Sequence, residues 1–106
     1  MVSRTVKDEK LVNIVKRIIE HFKITGFCEF EFIVSGNKYF LIDINFVPGG
    51  SIYLAKAAGA NLPLACIKEA MGKPLEPFNY KENIYLSRIF WDITVEENML
   101  PTPISE

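Results

Sequence analysis

The sequence predicts an α+β fold, and three observations predict it. A helical pattern comes first, two strand patterns joined by a short turn follow, and two further helical patterns separate this hairpin from a last strand pattern. Because the strands alternate polar and apolar residues, we expect a mainly antiparallel sheet made of the hairpin 27–46 and the strand 83–95. The helices are expected to pack on one face of it, opposite the acidic residues.

Length and composition limit the protein class. The 106 residues are enough for one domain, so we expect residues 1–106 to form a single unit. A net charge of −1 without a basic run gives no reason to expect binding to nucleic acid or to an anionic membrane. No apolar stretch reaches the roughly 18–20 residues that span a bilayer. Cys28 and Cys66 lack metal-ligand spacing, so small buried apolar roles and a reducing cytoplasm are expected.

The first helix is predicted over residues 7–24, where apolar residues recur at helical spacing. Thr5 followed by Asp8 predicts its start, and Gly26 predicts its stop. Later in the chain, Ser51 is expected to cap a short helix over 52–58 that Gly59 ends, and a further helix is expected over 63–71.

The hairpin can be predicted in more detail, because its apolar residues must share one face. Side chains alternate between the two faces, and the apolar residues of both strands are mainly even-numbered. Even-numbered residues must therefore pair with even-numbered ones, so that the numbers of two paired residues sum to an even value. This condition therefore favours a three-residue loop, 35–37 or 36–38, over the two-residue loop Gly36–Asn37. In either register Glu31 lies opposite Asp43 or one diagonal step away, within about 5–8 Å.

Oxygen-bearing side chains lie on the second face of this hairpin. Glu29 and Glu31 share that face with Asp43 and Asn45. Mg²⁺ commonly takes one or two protein carboxylates together with substrate phosphates, so Glu31, Asp43 and Asn45 form a candidate metal set. The alternative is a sheet face that is simply solvated, with Glu29 as a solvated neighbour in either case.

Three other features bear on ligand binding. The Gly49–Gly50–Ser51 segment permits close backbone approach to a phosphate, although such a segment is common. Arg88, the only cation inside a predicted strand, either pairs with Asp92 or approaches an anionic ligand. His21 is expected to be a surface residue.

Residues 8–78 resemble the carboxy-terminal part of the ATP-grasp domain, especially that of the carbamoyl-phosphate synthase large subunit and related carboxylate–amine ligases. The residues that carry the resemblance stand at matching spacing: Gly26, Glu31, Asp43, Asn45, Gly50, Ser51 and the run Ala58-Gly59-Ala60-Asn61-Leu62-Pro63. The chain departs from the pattern at Asp43, where the family has Glu, and at Phe46-Val47, where it has Pro-Arg.

The resemblance implies Mg²⁺ and ATP as cofactors and a small-molecule carboxylate as substrate, activated as an acyl phosphate that an amine captures. It implies Glu31, Asp43 and Asn45 as metal ligands and Gly49, Gly50 and Ser51 as cofactor-binding residues. The adenine-binding strands and phosphate-binding lysines of the family precede the matched region. We therefore expect a fragment of the fold that is inactive alone, contributes no catalytic residue, and needs an N-terminal ATP-grasp lobe as partner.

Two functions follow from these expectations. The first is the C-terminal part of an ATP-dependent carboxylate–amine ligase that contributes Mg²⁺ ligands to the ATP site. The alternative is a non-catalytic, degenerate ATP-grasp module for binding or assembly, which the loss of arginine at Val47 favours. In either case we expect a homodimer through an exposed sheet edge or apolar surface.

Overall fold

The computed structural model describes residues 2–96 and confirms the α+β class. These residues form three helices and two antiparallel sheets of two strands each. In chain order the elements are β1 Val2–Arg4, α1 Glu9–Phe22, β2 Glu29–Ser35, β3 Lys38–Asn45, α2 Ile52–Ala58, α3 Leu62–Ala70 and β4 Tyr85–Ser87. None of the helices in this part of the chain is long and apolar enough to cross a membrane.

The prediction of a long last strand in the same sheet as the hairpin was wrong. Within residues 2–96, β4 has three residues and pairs with β1, whereas β2 pairs with β3 in a separate sheet. β1 was not predicted, and its three residues give β4 a partner only as far as Ser87. Residue types that favour strands continue to residue 95, but a strand also needs a hydrogen-bonded neighbour.

Helix α1 begins and ends at residues other than those predicted. Asp8 is its N-cap, with the carboxylate accepting a hydrogen bond from Leu11 N at 3.0 Å. The Thr5 hydroxyl instead donates to Lys81 O at 2.8 Å. At the other end the helix stops before Gly26, because Lys23 takes the left-handed conformation (φ 53°) and donates its N–H to Ile19 O. The N–H of Ile24 donates to the same oxygen at 3.1 Å.

The hairpin uses the two-residue loop Gly36–Asn37, so the prediction of a three-residue loop was wrong. Ser35 pairs with Lys38, and Gly36 has φ +59°, as the first central residue of a type II′ turn requires. Near the turn, the numbers of paired residues therefore sum to an odd value. A bulge between Glu31 and Phe32, with Ile42 as the additional residue on β3, changes the sum to an even value. Beyond the bulge Glu31 pairs directly with Asp43, as the even-sum condition predicted.

The bulge sorts the side chains into two faces. One face carries the apolar set Phe30, Phe32, Val34, Tyr39, Leu41 and Ile44, and the other carries the polar set Glu29, Glu31, Asp43 and Asn45 together with Ile33 and Phe40. On the apolar face, the Tyr39 hydroxyl donates to Asp8 Oδ2 at 2.9 Å and so joins the hairpin to the start of α1. This places the start of α1 on the face opposite the acidic residues.

Helices α2 and α3 contain the best-packed part of the described chain. The predicted bounds of α2 are confirmed, and Gly59 ends it with φ +113°. The predicted cap is not, because the Ser51 side chain makes no capping hydrogen bond. Helix α3 starts one residue before its predicted start, with Asn61 accepting from Leu64 N at 3.2 Å.

The hydrophobic core is small. Among residues 2–96 the buried apolar side chains are Leu54, Ala58 and Ala60. The radius of gyration is 18.1 Å, whereas a compact chain of this length has about 13 Å. Cys28 and Cys66 are free and only half-buried, and burial raises the pKa of the Cys28 thiol. The described residues are therefore an open arrangement that leaves much apolar surface exposed.

Candidate metal and nucleotide site

The acidic pair at the centre of the hairpin is formed as predicted. Glu31 is the direct cross-strand partner of Asp43, and Glu29 is that of Asn45. Directly opposite residues in an antiparallel pair have Cα atoms about 4.5–5.5 Å apart, so both carboxylates can reach one ion. Glu31 and Asp43 are exposed, and like charges so placed repel unless solvent or a cation neutralises them.

Hydrogen bonds orient the Asp43 carboxylate. Its Oδ1 accepts from the backbone N–H of Ile44 at 2.9 Å, and its Oδ2 accepts from Asn45 Nδ2 at 3.1 Å. Each carboxylate oxygen retains a further lone pair, because an ionised Asp offers about four acceptor sites. Asn45 turns its amide nitrogen towards Asp43, so its carbonyl oxygen is the atom left for a ligand.

Glu29 binds the glycine loop, so the expectation that it is only a solvated neighbour was wrong. Its half-buried carboxylate accepts a hydrogen bond from Gly49 N at 3.2 Å. A Cβ at position 49 would lie 2.6 Å from Glu29 Oε1. The glycine therefore allows the carboxylate to approach the backbone.

Arg88 holds the same loop from the other side. Its guanidinium donates a hydrogen bond to the carbonyl oxygen of Gly50. A Cβ at position 50 would lie 2.7 Å from Arg88 Nη2, so this glycine also permits a close approach. Of the two roles considered for Arg88, the structure supports a position beside the loop, where the other guanidinium N–H groups remain available for an anion.

A groove of about 590 Å³ lies between the outer edge of β2 and the sheet of β1 and β4. Glu31, Gly50, Ser51 and Arg88 line it, together with Glu29 and apolar residues of β2. Asp43 and Asn45 lie beside Glu31 on the sheet face but do not line this groove. Glu31 is thus the predicted ligand that connects the acidic face with the glycine loop.

The donor set fits Mg²⁺ only as an incomplete site. Within residues 2–96 no group of three or more His, Cys, Asp or Glu side chains is arranged to hold a metal ion. Two carboxylates and one amide oxygen are present at the hairpin. That set matches the way Mg²⁺ binds when waters and substrate phosphates complete its octahedron, and it does not match a cage made by protein alone.

A separate polar contact supports the hairpin from its apolar face. The backbone N–H of Leu11, followed by the Tyr39 hydroxyl, lowers the pKa of Asp8 below its usual 3.8. The same carboxylate raises the pKa of Tyr39 above 10.0 by accepting its hydrogen bond. The contact is therefore strongest while Asp8 is ionised and Tyr39 is protonated.

Sequence reasoning missed the contact between Glu29 and the loop, and left the position of Arg88 open. Both depend on long-range geometry, since Glu29 and Gly49 are 20 residues apart and Arg88 and Gly50 are 38 apart. The available signal was the pair Gly49–Gly50, because consecutive glycines outside a hairpin turn indicate that something approaches the backbone closely.

Paired carboxylates, a glycine loop and an arginine are the kinds of group that proteins use to bind a metal ion and a phosphate. A family model described as "ATP-grasp in the biosynthetic pathway with Ter operon" matches residues 1–90. Since the match covers most of the 106 residues, the chain belongs to this ATP-grasp family. ATP binding, generally with Mg²⁺, and ligase chemistry are the coarse properties of such proteins. Neither the curated proteins nor the solved structures give a significant match.

Proposed function

We propose that the chain supplies the Mg²⁺-binding face of the ATP site in an ATP-dependent carboxylate–amine ligase. The observation that carries the proposal is the direct pairing of Glu31 with Asp43, with Asn45 hydrogen-bonded to Asp43. Membership of an ATP-grasp family supports it at the coarse level. The finer features, a carbamoyl-phosphate synthase-like reaction and a small carboxylate as substrate, rest on the sequence resemblance.

Each hairpin residue has a definite role in this proposal. Glu31 and Asp43 hold Mg²⁺ through carboxylate oxygens, and Asn45 adds its amide oxygen while its nitrogen keeps Asp43 in place. Bound Mg²⁺ would neutralise charge on the triphosphate and help orient it. The backbone of Ile44 fixes Asp43 Oδ1, so the ligand is oriented before any ion arrives.

The loop and Arg88 supply the phosphate-binding part. Gly49, Gly50 and Ser51 offer backbone that a phosphate can approach closely, and Glu29 and Arg88 hold it from two sides. Val47 is 66% exposed but carries no charge. Arg88 therefore supplies the positive charge that the resemblance places at position 47.

The remaining parts of the reaction belong outside this chain. The proposal assigns it no catalytic residue and places the adenine-binding strands and phosphate-binding lysines on an N-terminal ATP-grasp lobe as its partner. The small core supports such a need for a partner.

Calorimetric titration of the chain, combined with an N-terminal ATP-grasp lobe, with Mg²⁺ and a non-hydrolysable ATP analogue tests the proposal. We expect Glu31→Gln and Asp43→Asn each to weaken metal-dependent binding about tenfold or more, because each removes one of two charged ligands. Glu20→Gln, at an exposed position of α1, is the matched control and should bind as the parent does. Equal affinity of all four chains would refute a metal site at the hairpin.

The second candidate function is a non-catalytic ATP-grasp module for binding or assembly. Val47 in place of arginine favours it, and so do the hydrogen bonds that already engage both Asp43 oxygens. Phosphate release by the chain combined with an N-terminal ATP-grasp lobe separates the two functions. Turnover that Asp43→Asn abolishes supports the ligase, whereas nucleotide binding without turnover supports the module.

A further inference from the structure

The residues after β4 carry the most exposed apolar surface of the described chain. Phe90 is 92% exposed, Ile89 87% and Trp91 85%, and Ile93 and Val95 are exposed as well. We propose that this apolar segment 89–95 is the surface through which the chain binds a second copy of itself. The proposal is independent of the metal site.

The segment has a sequence typical of a β-strand, but no strand within residues 2–96 pairs with it. Ile89, Trp91, Ile93 and Val95 alternate with Phe90, Asp92 and Thr94, and β-branched and aromatic residues dominate. Residues 88–96 nevertheless have no regular structure. A strand forms when its backbone groups find a hydrogen-bonding edge, which no other described residue gives this segment.

The same chain offers the complementary edges. Within residues 2–96, β2 pairs only with β3 and β3 only with β2, so each strand keeps one edge without a strand neighbour. The groove along β2 is the candidate nucleotide site, so the free edge of β3 is the acceptor that leaves that site open. Because each copy has one donor segment and one acceptor hairpin, a two-fold arrangement pairs both copies at once.

The available area is close to what a stable dimer needs. A buried aromatic side chain covers about 150–250 Å². Phe90 and Trp91 of two copies therefore bury on the order of 600–1,000 Å² at most, and the aliphatic residues of the segment add to this. Specific interfaces require about 1,000 Å² or more in total, whereas patches on ordinary monomers reach only about 300–600 Å². Two copies can meet that requirement through this segment.

Trp91 is the only tryptophan of the chain, so its fluorescence reports directly on this segment. Emission and sedimentation of the full chain are measured together as protein concentration rises from micromolar to millimolar. We expect a monomer–dimer transition in sedimentation, with a shift of Trp91 emission to shorter wavelength over the same concentrations. A chain that stays monomeric, or a dimer in which Trp91 emission does not shift, would overturn the proposal.

A pair of variants distinguishes dimerisation through this segment from nonspecific hydrophobic association. Phe90→Glu keeps the Trp91 reporter and should weaken dimerisation at least tenfold, with emission remaining that of exposed tryptophan. Ile67→Glu introduces the same charge at another exposed apolar position, 58% exposed on α3, and should dimerise as the parent does. Equal weakening by both variants, or by neither, would contradict the assignment to segment 89–95.

Discussion

At the scale of single residues, the hairpin and its loop are held by a few side chains that act at a distance in sequence. Tyr39 joins the apolar face to Asp8, Glu29 binds the backbone at Gly49, and Arg88 binds it at Gly50. Each contact joins segments that share no secondary structure. Substitutions at these positions should therefore change the position of the loop or hairpin more than the content of helix and strand.

The contact between Tyr39 and Asp8 predicts a pH-dependent contribution to stability. The pKa of Asp8 is lowered in the folded chain, so its contribution is present above about pH 4 and is lost as pH falls through the folded pKa. The pKa of Tyr39 is raised, so its contribution is present below about pH 10 and is lost above that.

The variant Tyr39→Phe keeps the ring and removes the hydrogen bond. Its free energy of unfolding should be lower than that of the parent between about pH 4 and pH 10, and the difference should shrink outside that window. Urea unfolding at a series of pH values measures it. A difference that is constant across pH would contradict the role of the Asp8 charge.

Arg88 leads to a prediction about ligand affinity. Arg88→Met keeps most of the side-chain length but removes the charge. In the chain combined with an N-terminal ATP-grasp lobe, affinity for the ATP analogue should therefore fall about tenfold, as expected for one lost charged hydrogen bond. The control is Arg17→Met on the exposed face of α1. If both variants bind equally well, Arg88 serves only to hold the loop.

At the scale of elements, the turn and the bulge of the hairpin act together. The two-residue turn gives a register that alone would place Asp43 on the apolar face, and Ile42 as an extra residue returns it to the face of Glu31. The turn itself depends on Gly36, whose φ of +59° is unfavourable for other residues.

Gly36→Ala should lower the free energy of unfolding by about 1–3 kcal/mol, the usual cost of a sparsely populated backbone conformation for a residue with a Cβ. Asn37→Ala is the control, since Asn37 is not among the described residues with positive φ. Denaturant unfolding of the two variants measures the difference. A larger effect at Asn37 than at Gly36 would mean that the turn differs from the one described.

These elements also indicate how far the sequence alone leads. The even-sum condition predicted the pairing of Glu31 with Asp43, because it follows from burying one face, which any register must satisfy. It did not predict the length of the loop, because a bulge anywhere along the strand can return the paired residue numbers to an even sum. The length of the last strand was overestimated for a related reason. The residue pattern gives a tendency to form a strand, but residues 88–95 would need the hydrogen-bonding edge of a neighbouring strand to form one. Helix α2 was predicted to the residue, because its signals are local.

At the scale of the whole molecule, the described chain buries little surface. Leu54, Ala58 and Ala60 form the core, and many aromatic and aliphatic side chains are exposed. The denaturant dependence of unfolding rises with the surface exposed on unfolding, and for small proteins in urea it is about 1–3 kcal/mol/M. We expect a value at the low end of that range for the monomeric Phe90→Glu variant.

For the parent chain the midpoint of urea unfolding should rise with protein concentration, because association adds buried area to the folded state only. Phe90→Glu should show no such rise. A steep, concentration-independent transition in the parent would show that the chain folds compactly alone, contrary to its open arrangement.

The most direct test of the proposed metal site is paramagnetic NMR. Mn²⁺, which prefers the same oxygen ligands as Mg²⁺, is titrated into the isotope-labelled chain while the backbone amide signals are followed. We predict that the signals of Glu31, Asp43 and Asn45 broaden first and that Asp43→Asn removes this selectivity. First broadening elsewhere, or broadening at the hairpin that Asp43→Asn leaves unchanged, would contradict a metal site formed by these residues.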